Sequence, residues 1–174
     1  WLRVFQIPVA SRAARGRPMV NILPLDEDER ITAMLPVHAY EEDQFVFMAT
    51  ANGTVKKTPL MDFSRQRSTG LIAIELEEGN TLIGVAITDG QSDVMLFGSG
   101  GKVIRFKESD VRAMGRTARG VRGIKLKTSE KVISLIIPNP IAEILIASEN
   151  GFGKRARLQD YSVIGRGGQG VIGI

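Results

Sequence analysis

Short glycine-centred motifs return at a near-constant interval along this chain, and that period limits the fold more than any other feature. Asn52-Gly53-Thr54-Val55-Lys56-Lys57 recurs as Gly100-Gly101-Lys102-Val103-Ile104-Arg105 and as Asn150-Gly151-Phe152-Gly153-Lys154-Arg155. The second residues of these motifs lie 48 and then 50 positions apart. A second marker, a glycine followed by apolar residues, occurs as Gly70-Leu71-Ile72-Ala73-Ile74, Gly120-Val121-Arg122-Gly123-Ile124 and Gly170-Val171-Ile172-Gly173-Ile174, again 50 apart. An earlier copy, Gly16-Arg17-Pro18-Met19-Val20, begins 54 residues before Gly70. Such periods belong to repeat architectures, in which one unit cannot bury its own apolar faces and stacks against the next.

Each marker implies local structure. Asn-Gly and Gly-Gly steps supply the positive φ of a tight hairpin turn. Runs rich in β-branched and aromatic residues flank them: Phe45–Ala49 with Thr54–Thr58, Asp93–Phe97 with Val103–Phe106, and Glu143–Ala147 with Gly153–Ala156. A basic loop follows, then the second-glycine strand, an acidic turn and a fourth strand over Ile31–Leu35, Leu82–Ala86 or Val132–Ile136. Leu60–Phe63, Glu108–Val111 and Leu158–Tyr161 read as single helical turns, and no helical stripe exceeds about two turns. Four short strands per repeat of about 50 residues define a propeller blade. The expectation is an all-β, propeller-like array of four-stranded blades, fourteen strands in about three and a half repeats. The 174 residues then form one domain, in portions of approximately 1–40, 41–90, 91–140 and 141–174. The first portion lacks its opening strand, the last lacks its closing strand, and the chain opens on Trp1, so a cut piece of a longer protein is expected.

Other classes are disfavoured. With no cysteine there is neither a disulfide framework nor a thiolate metal site, in keeping with a reducing cytoplasm. No run approaches the roughly 20 apolar residues of a membrane helix. His38 is the lone histidine, in a loop after Pro36, with no partner base recognisable in the sequence, and is read as a surface residue. Glu41-Glu42 and Glu77-Glu78 read as solvated turns, and Trp1 as a packing residue.

Charge carries the functional signal. Four segments in phase with the repeat, Arg3–Arg17, Lys56–Arg67, Lys102–Arg122 and Lys154–Arg166, hold 19 of the 23 Lys and Arg residues and 4 of the 19 acids. One such segment reads as a solvated face. Four in phase place a basic belt around the array, suited to a polyanion that curves around the protein. The belt has few aromatics, which argues against single-stranded bases, and no recognition helix, which argues against major-groove reading. Backbone contact with bent duplex DNA remains.

Phe47–Lys57, Gly101–Ser109, Val111–Met114, Gly120–Ile124, Arg15–Pro18 with Asn21, and Gly151–Arg155 resemble the C-terminal domain of DNA gyrase A, in order along essentially the whole chain. The resemblance implies a β-pinwheel, whose neighbouring blades exchange strands, from inside a first blade into a fourth. It implies a non-catalytic module that wraps duplex DNA for a type IIA topoisomerase and supports ATP-dependent negative supercoiling by the whole enzyme. Partners would be double-stranded DNA, the rest of gyrase A, and gyrase B in a heterotetramer, in the bacterial cytoplasm at the nucleoid. No cofactor or metal is expected in this chain, because ATP and Mg²⁺ would be used elsewhere in that enzyme. Tyr40 and Tyr161, in loops of the repeat, do not match its DNA-breaking tyrosine. Two alternatives stay open: the related C-terminal domain of topoisomerase IV, and a propeller that binds proteins.

The residues expected to contact phosphate are Lys56, Lys57, Arg65, Arg67, Lys102, Arg112, Arg116, Arg119, Lys154 and Arg166. Arg122 and Arg155 are expected to bridge to acids on neighbouring strands. The family's signature box, Gln-Arg-Arg-Gly-Gly-Lys-Gly, is resembled by Ile164-Gly165-Arg166-Gly167-Gly168-Gln169-Gly170, with Gly165 and Gln169 in place of an arginine and the lysine. Two readings stand side by side: a strap between blades that offers Arg166 to phosphate, and a turn whose glycines take positive φ.

Overall fold

The computed structural model describes residues 1–26 and 29–174. Ten strands are present among them: β1 Phe45–Thr50, β2 Thr54–Pro59, β3 Leu82–Thr88, β4 Asp93–Gly98, β5 Lys102–Lys107, β6 Val121–Arg122, β7 Val132–Ile136, β8 Glu143–Ala147, β9 Gly153–Arg157 and β10 Val171–Ile172. Single 3-10 turns at Leu60–Phe63, Glu108–Asp110 and Leu158–Asp160 follow β2, β5 and β9. The three expected hairpins form. β1 pairs with β2 from Phe45↔Pro59 to Ala49↔Val55, β4 with β5 from Asp93↔Lys107 to Phe97↔Val103, and β8 with β9 from Glu143↔Arg157 to Ala147↔Gly153. β3 and β7 then return along β1 and β4, and each pairing slips at the same place, Ala49/Thr50 and Phe97/Gly98.

In the two four-stranded sheets the outermost strand beside the hairpin comes from the following repeat. β6 pairs with β2 and β10 with β5, giving the orders β3-β1-β2-β6 and β10-β5-β4-β7. Gly120 and Gly170 introduce these exchanged strands at φ +108 and +73. A Cβ on either would collide with the carbonyl oxygen of Val55 or Val103, the residues that the exchanged strands pair with. Glycine is required there both for the dihedral and for backbone to lie directly on backbone. At the opposite end of the sheets β3 and β7 touch each other. Gly84 leaves the room: a Cβ there would sit 2.9 Å from that of Leu135. The sheets therefore converge at β3 and β7, and the exchanged strands occupy the far edge.

Alternation along β4 feeds two cores. Val94 and Leu96 join Phe47, Ala49, Val55, Ile104, Phe106 and Ile124 between the two sheets. Met95 and Phe97 point the other way, to Val103, Ile144, Ala156, Leu158 and Tyr161. Each fully buried side chain, such as Phe106, contributes about 1.5–3 kcal/mol.

Four expected strands are absent among the described residues. In the first repeat neither the strand after its hairpin turn, nor Gly16–Val20, nor Ile31–Leu35 is a strand, and Met19–Asn21 is a 3-10 turn. Gly70–Ile74 is also without ladder pairing. Each needs a ladder partner. A second-glycine strand needs the outer edge of the preceding repeat's hairpin, and the strand after the acidic turn needs the inner edge of its own, or its backbone groups stay with water.

Candidate nucleic-acid interface

Because each exchanged strand belongs to the preceding sheet, the basic loop before it has to cross the junction between two blades. The loops are held identically in successive repeats. Met114 N–H donates to Lys57 O (2.8 Å) and Ile164 N–H to Arg105 O (2.9 Å); Gly123 N–H donates to Gly53 O (2.8 Å) and Gly173 N–H to Gly101 O (2.8 Å). Both ends of each loop are thus pinned to the blade behind, and their side chains occupy equivalent places along the exchanged-strand edge.

Arg112 lies at the start of the first of these loops, and Arg65 and Arg67 on the equivalent loop of the repeat before it, whose backbone makes only local turn bonds among the described residues; all three are exposed and without an ion pair there. Lys154 is exposed on β9, and Arg116 is half-buried. Arg119 is exposed, but its Nε and Nη2 donate to Glu75 Oε1 at 3.0 and 2.7 Å. Half-buried Lys102 donates from Nζ to Gln169 Oε1 at 3.3 Å.

Lys56 and Lys57 depart from expectation, being 0% and 6% exposed. Lys56 Nζ donates to Ala73 O (2.6 Å) and to Arg116 O. Burial, with the positive charge of Arg116, pushes its pKa down to about 8 against a partial opposing pull from Asp62. Lys57 Nζ donates to Glu108 O (3.3 Å), lies 4.0 Å from Glu108 Oε1 and sits over the Phe45 ring. Both are structural cations between blades, engaged by carbonyls and a buried carboxylate rather than by a ligand. Sequence reading missed this role because the loop of the next repeat covers both faces of β2.

The equivalent of Lys57 in the next repeat is Arg105, which donates from Nη1 to Leu158 O (2.8 Å) and Tyr161 O (3.0 Å) and is held by Asp93. Burial pushes the Asp93 carboxyl up, but hydrogen bonds from Lys107 and Arg105 hold it below its ordinary value. Lys57 and Arg105 are therefore bolts, each locking the 3-10 turn of the following repeat. Arg155, next in the series, bridges instead to Glu143 at 3.1 Å, as expected of it, whereas Arg122 makes no ion pair among the described residues.

The glycine-rich segment is both a strap between blades and a turn of positive-φ glycines, with part of the Arg166 guanidinium taken up by carbonyls. Arg166 donates from Nε to Asp110 O (2.8 Å) and from Nη1 to Arg122 O (3.1 Å). Gly167 N–H donates to Gly123 O (2.6 Å), and Gly168 O accepts from Lys125 N–H (2.8 Å). Gly167 and Gly170 take φ of +82 and +73. Gly165 and Gln169 are exposed, so residues 165–170 form a strap onto the preceding repeat whose outer face meets solvent.

Elsewhere, His38 is exposed, Tyr161 is buried in the second core, and Trp1 packs against Tyr40 with ring centroids 5.9 Å apart. No helix among the described residues is long and apolar enough to cross a membrane.

The family model described as the DNA gyrase C-terminal domain, beta-propeller, matches residues 1–38, 44–89, 92–139 and 142–174. The chain is 61% identical over 174 residues to DNA gyrase A of Klebsiella oxytoca and 60% identical over 174 residues to that of Salmonella typhimurium, covering 100% of this chain and 20% of each relative. It spans about a fifth of the length of these curated relatives. Among solved structures it is similar to the C-terminal domain of DNA topoisomerase IV (TM-score 0.84, 31% identity, 90% of this chain and 49% of that one). It is also similar to the DNA gyrase A C-terminal domain (TM-score 0.79, 25% identity, 91% and 53%).

Proposed function

The chain belongs to the DNA gyrase C-terminal domain family, and from that premise we propose that it binds and bends duplex DNA through the basic loops at its blade junctions. The observation that carries this reading is that Arg65, Arg67 and Arg112 stand exposed and unpaired among the described residues, on loops at the same place in successive repeats, the Arg112 loop being pinned to the blade behind it. Regularly spaced cations on a curved edge neutralise successive phosphates without reading bases. Preference among sequences then follows DNA deformability.

Within the whole protein the module would present its DNA to the strand-passing machinery of a gyrase complex in the bacterial cytoplasm. Breaking of DNA, Mg²⁺ binding and ATP hydrolysis belong to other parts of that assembly in this reading. Identities of 61% and 60% to gyrase A sequences support gyrase, while the solved topoisomerase IV and gyrase A domains, at 31% and 25%, do not separate the two.

The test is affinity for a fluorescent random-sequence duplex of about 40 base pairs across a salt series. Several phosphate contacts give a slope of several in log K against log salt, and replacing Arg65, Arg67 and Arg112 by alanine flattens it by about 2–3. No binding at low salt, or an unchanged slope in the triple variant with the fold intact, sinks the proposal.

A further inference from the structure

Residues 75–78 and 125–128 hold the same place in successive repeats, five positions after Gly70 and Gly120. The first reads Glu75-Leu76-Glu77-Glu78 and the second Lys125-Leu126-Lys127-Thr128, so three negative charges stand where the next repeat has two positive ones. The partners change with them. Arg119 is replaced fifty residues later by Gln169. At the first junction Glu75 Oε1 takes both Nε and Nη2 of Arg119, at 3.0 and 2.7 Å. That hydrogen bond, with the charges of Glu75 and Glu77, raises the Arg119 pKa further; the same bond and the charge of Arg119 lower that of Glu75. At the second junction Lys125 uses only its backbone N–H, on Gly168 O, and Gln169 accepts from Lys102 Nζ. The side chains of Lys125 and Lys127 stay exposed, Lys125 without an ion pair among the described residues and Lys127 with only a 4.0 Å approach to Glu130, against the 2.7 Å pair at Arg119.

Arg119 and Glu75 are 65% and 53% exposed, so a phosphate is able to reach the pair. To bind Arg119, however, it has to displace a carboxylate already in place. A neutralised junction also gathers less phosphate by long-range attraction, which at physiological salt acts over about 8 Å.

Resting on the duplex-binding reading above, we propose that Glu75, with Glu77 behind it, is a built-in counter-ion that holds Arg119 off the phosphate backbone. Duplex then engages the Lys125–Lys127 junction more firmly than the Arg119 junction. The device grades the belt: one junction is muted by a two-nitrogen carboxylate pair, and its structural twin keeps Lys125 unpaired among the described residues and Lys127 only loosely paired.

The experiment compares the chain with E75Q, R119A, E75Q/R119A and E42Q, by affinity for the same fluorescent duplex across a salt series. E75Q is expected to tighten binding about three- to tenfold at low salt and to steepen the slope by about 0.9, one phosphate contact. The gain disappears in E75Q/R119A. E42Q makes the same change of net charge on the exposed loop before β1 and leaves the slope unaltered. Reversing the twin, K125E/K127E, weakens binding more than R119A does. Unfolding lowers affinity and so cannot imitate the gain. The proposal is overturned if E75Q binds as the parent does, if E42Q gives the same gain, if the gain survives loss of Arg119, or if K125E/K127E costs no more than R119A. A parent chain that binds no duplex at low salt brings down the duplex reading and this proposal with it. Binding by the parent that E75Q leaves unmoved brings down the counter-ion alone.

Discussion

Two hairpins built to the same design, β4–β5 and β8–β9, end in different surroundings. Their ladders match pair for pair, Asp93↔Lys107 against Glu143↔Arg157. Yet Met95 in β4 is fully buried, while Leu145, its equivalent in β8, is 73% exposed. Ile104 in β5 is buried, and its equivalent in β9 is the exposed Lys154. β4 and β5 lie inside a four-stranded sheet with a core on either face, whereas β8 and β9 pair only with each other among the described residues. Turn chemistry makes the hairpin, but the neighbouring repeats decide whether it becomes core. Stability in such an array resides in its junctions.

The largest way to break this contrast is at the bolts. Lys57→Met leaves Glu108, 0% exposed, without its cation, and removing one partner of a buried pair costs about 3–5 kcal/mol. Arg155→Met opens a solvent-exposed pair and costs under about 1 kcal/mol. Urea unfolding measures both. Adding Glu108→Leu to Lys57→Met restores part of the loss, because Leu158 already fills the equivalent place in the next repeat, while the buried Thr88 hydroxyl loses the carboxylate it donates to at 2.6 Å. If Lys57→Met and Arg155→Met cost the same, the bolts carry no junction energy.

Next comes packing. Met95→Ala empties a filled site and costs about 2–5 kcal/mol. Leu145→Ala, at the equivalent exposed position, stays within about 0.5 kcal/mol. Equal losses in urea melts would mean that β8 is covered in solution by something that supplies a core.

What the sequence made legible follows the same line. The hairpins were readable because Asn52-Gly53 and its copies specify a turn from neighbouring residues alone. The 3-10 turns at Leu60–Phe63, Glu108–Asp110 and Leu158–Asp160 lay where short polar-apolar runs suggested them. Strand exchange was accessible through family resemblance, not through periodicity. Ile31–Leu35 has strand composition, but composition cannot reveal whether a ladder partner is present. Lys56-Lys57 reads as a surface pair because two adjacent lysines in an isolated strand reach water on both faces. Only the loop of another repeat, some sixty residues on, turns them inward. Arg119 was visible as a basic loop residue, but Glu75 as its partner was not, since the two meet across 44 positions.

The smallest effect separates Lys56 from its equivalent, Lys154. In the folded chain burial, aided by Arg116 and opposed by Asp62, brings Lys56 from 10.5 to about 8. Lys154 is exposed. Well below pH 8 both folded and unfolded chains hold the Lys56 proton, and the group contributes no pH dependence. Between about 8 and the ordinary lysine value the unfolded chain holds more protons, so stability rises with pH. From pH 7 to 8.5 that gain is under about 1 kcal/mol. Tyr161 titrates higher, because burial raises its pKa, and it matters only as pH nears about 10. Urea unfolding at pH 7, 8 and 8.5 therefore isolates the lysine. The parent and Lys154→Met should gain stability across that range, and Lys56→Met should not. A rise that persists in Lys56→Met would put the titrating group elsewhere. It would also mean that an amine bonded to Ala73 O and Arg116 O keeps its charge as easily as one in water, so that burial between repeats separates the two lysines in position but not in energy.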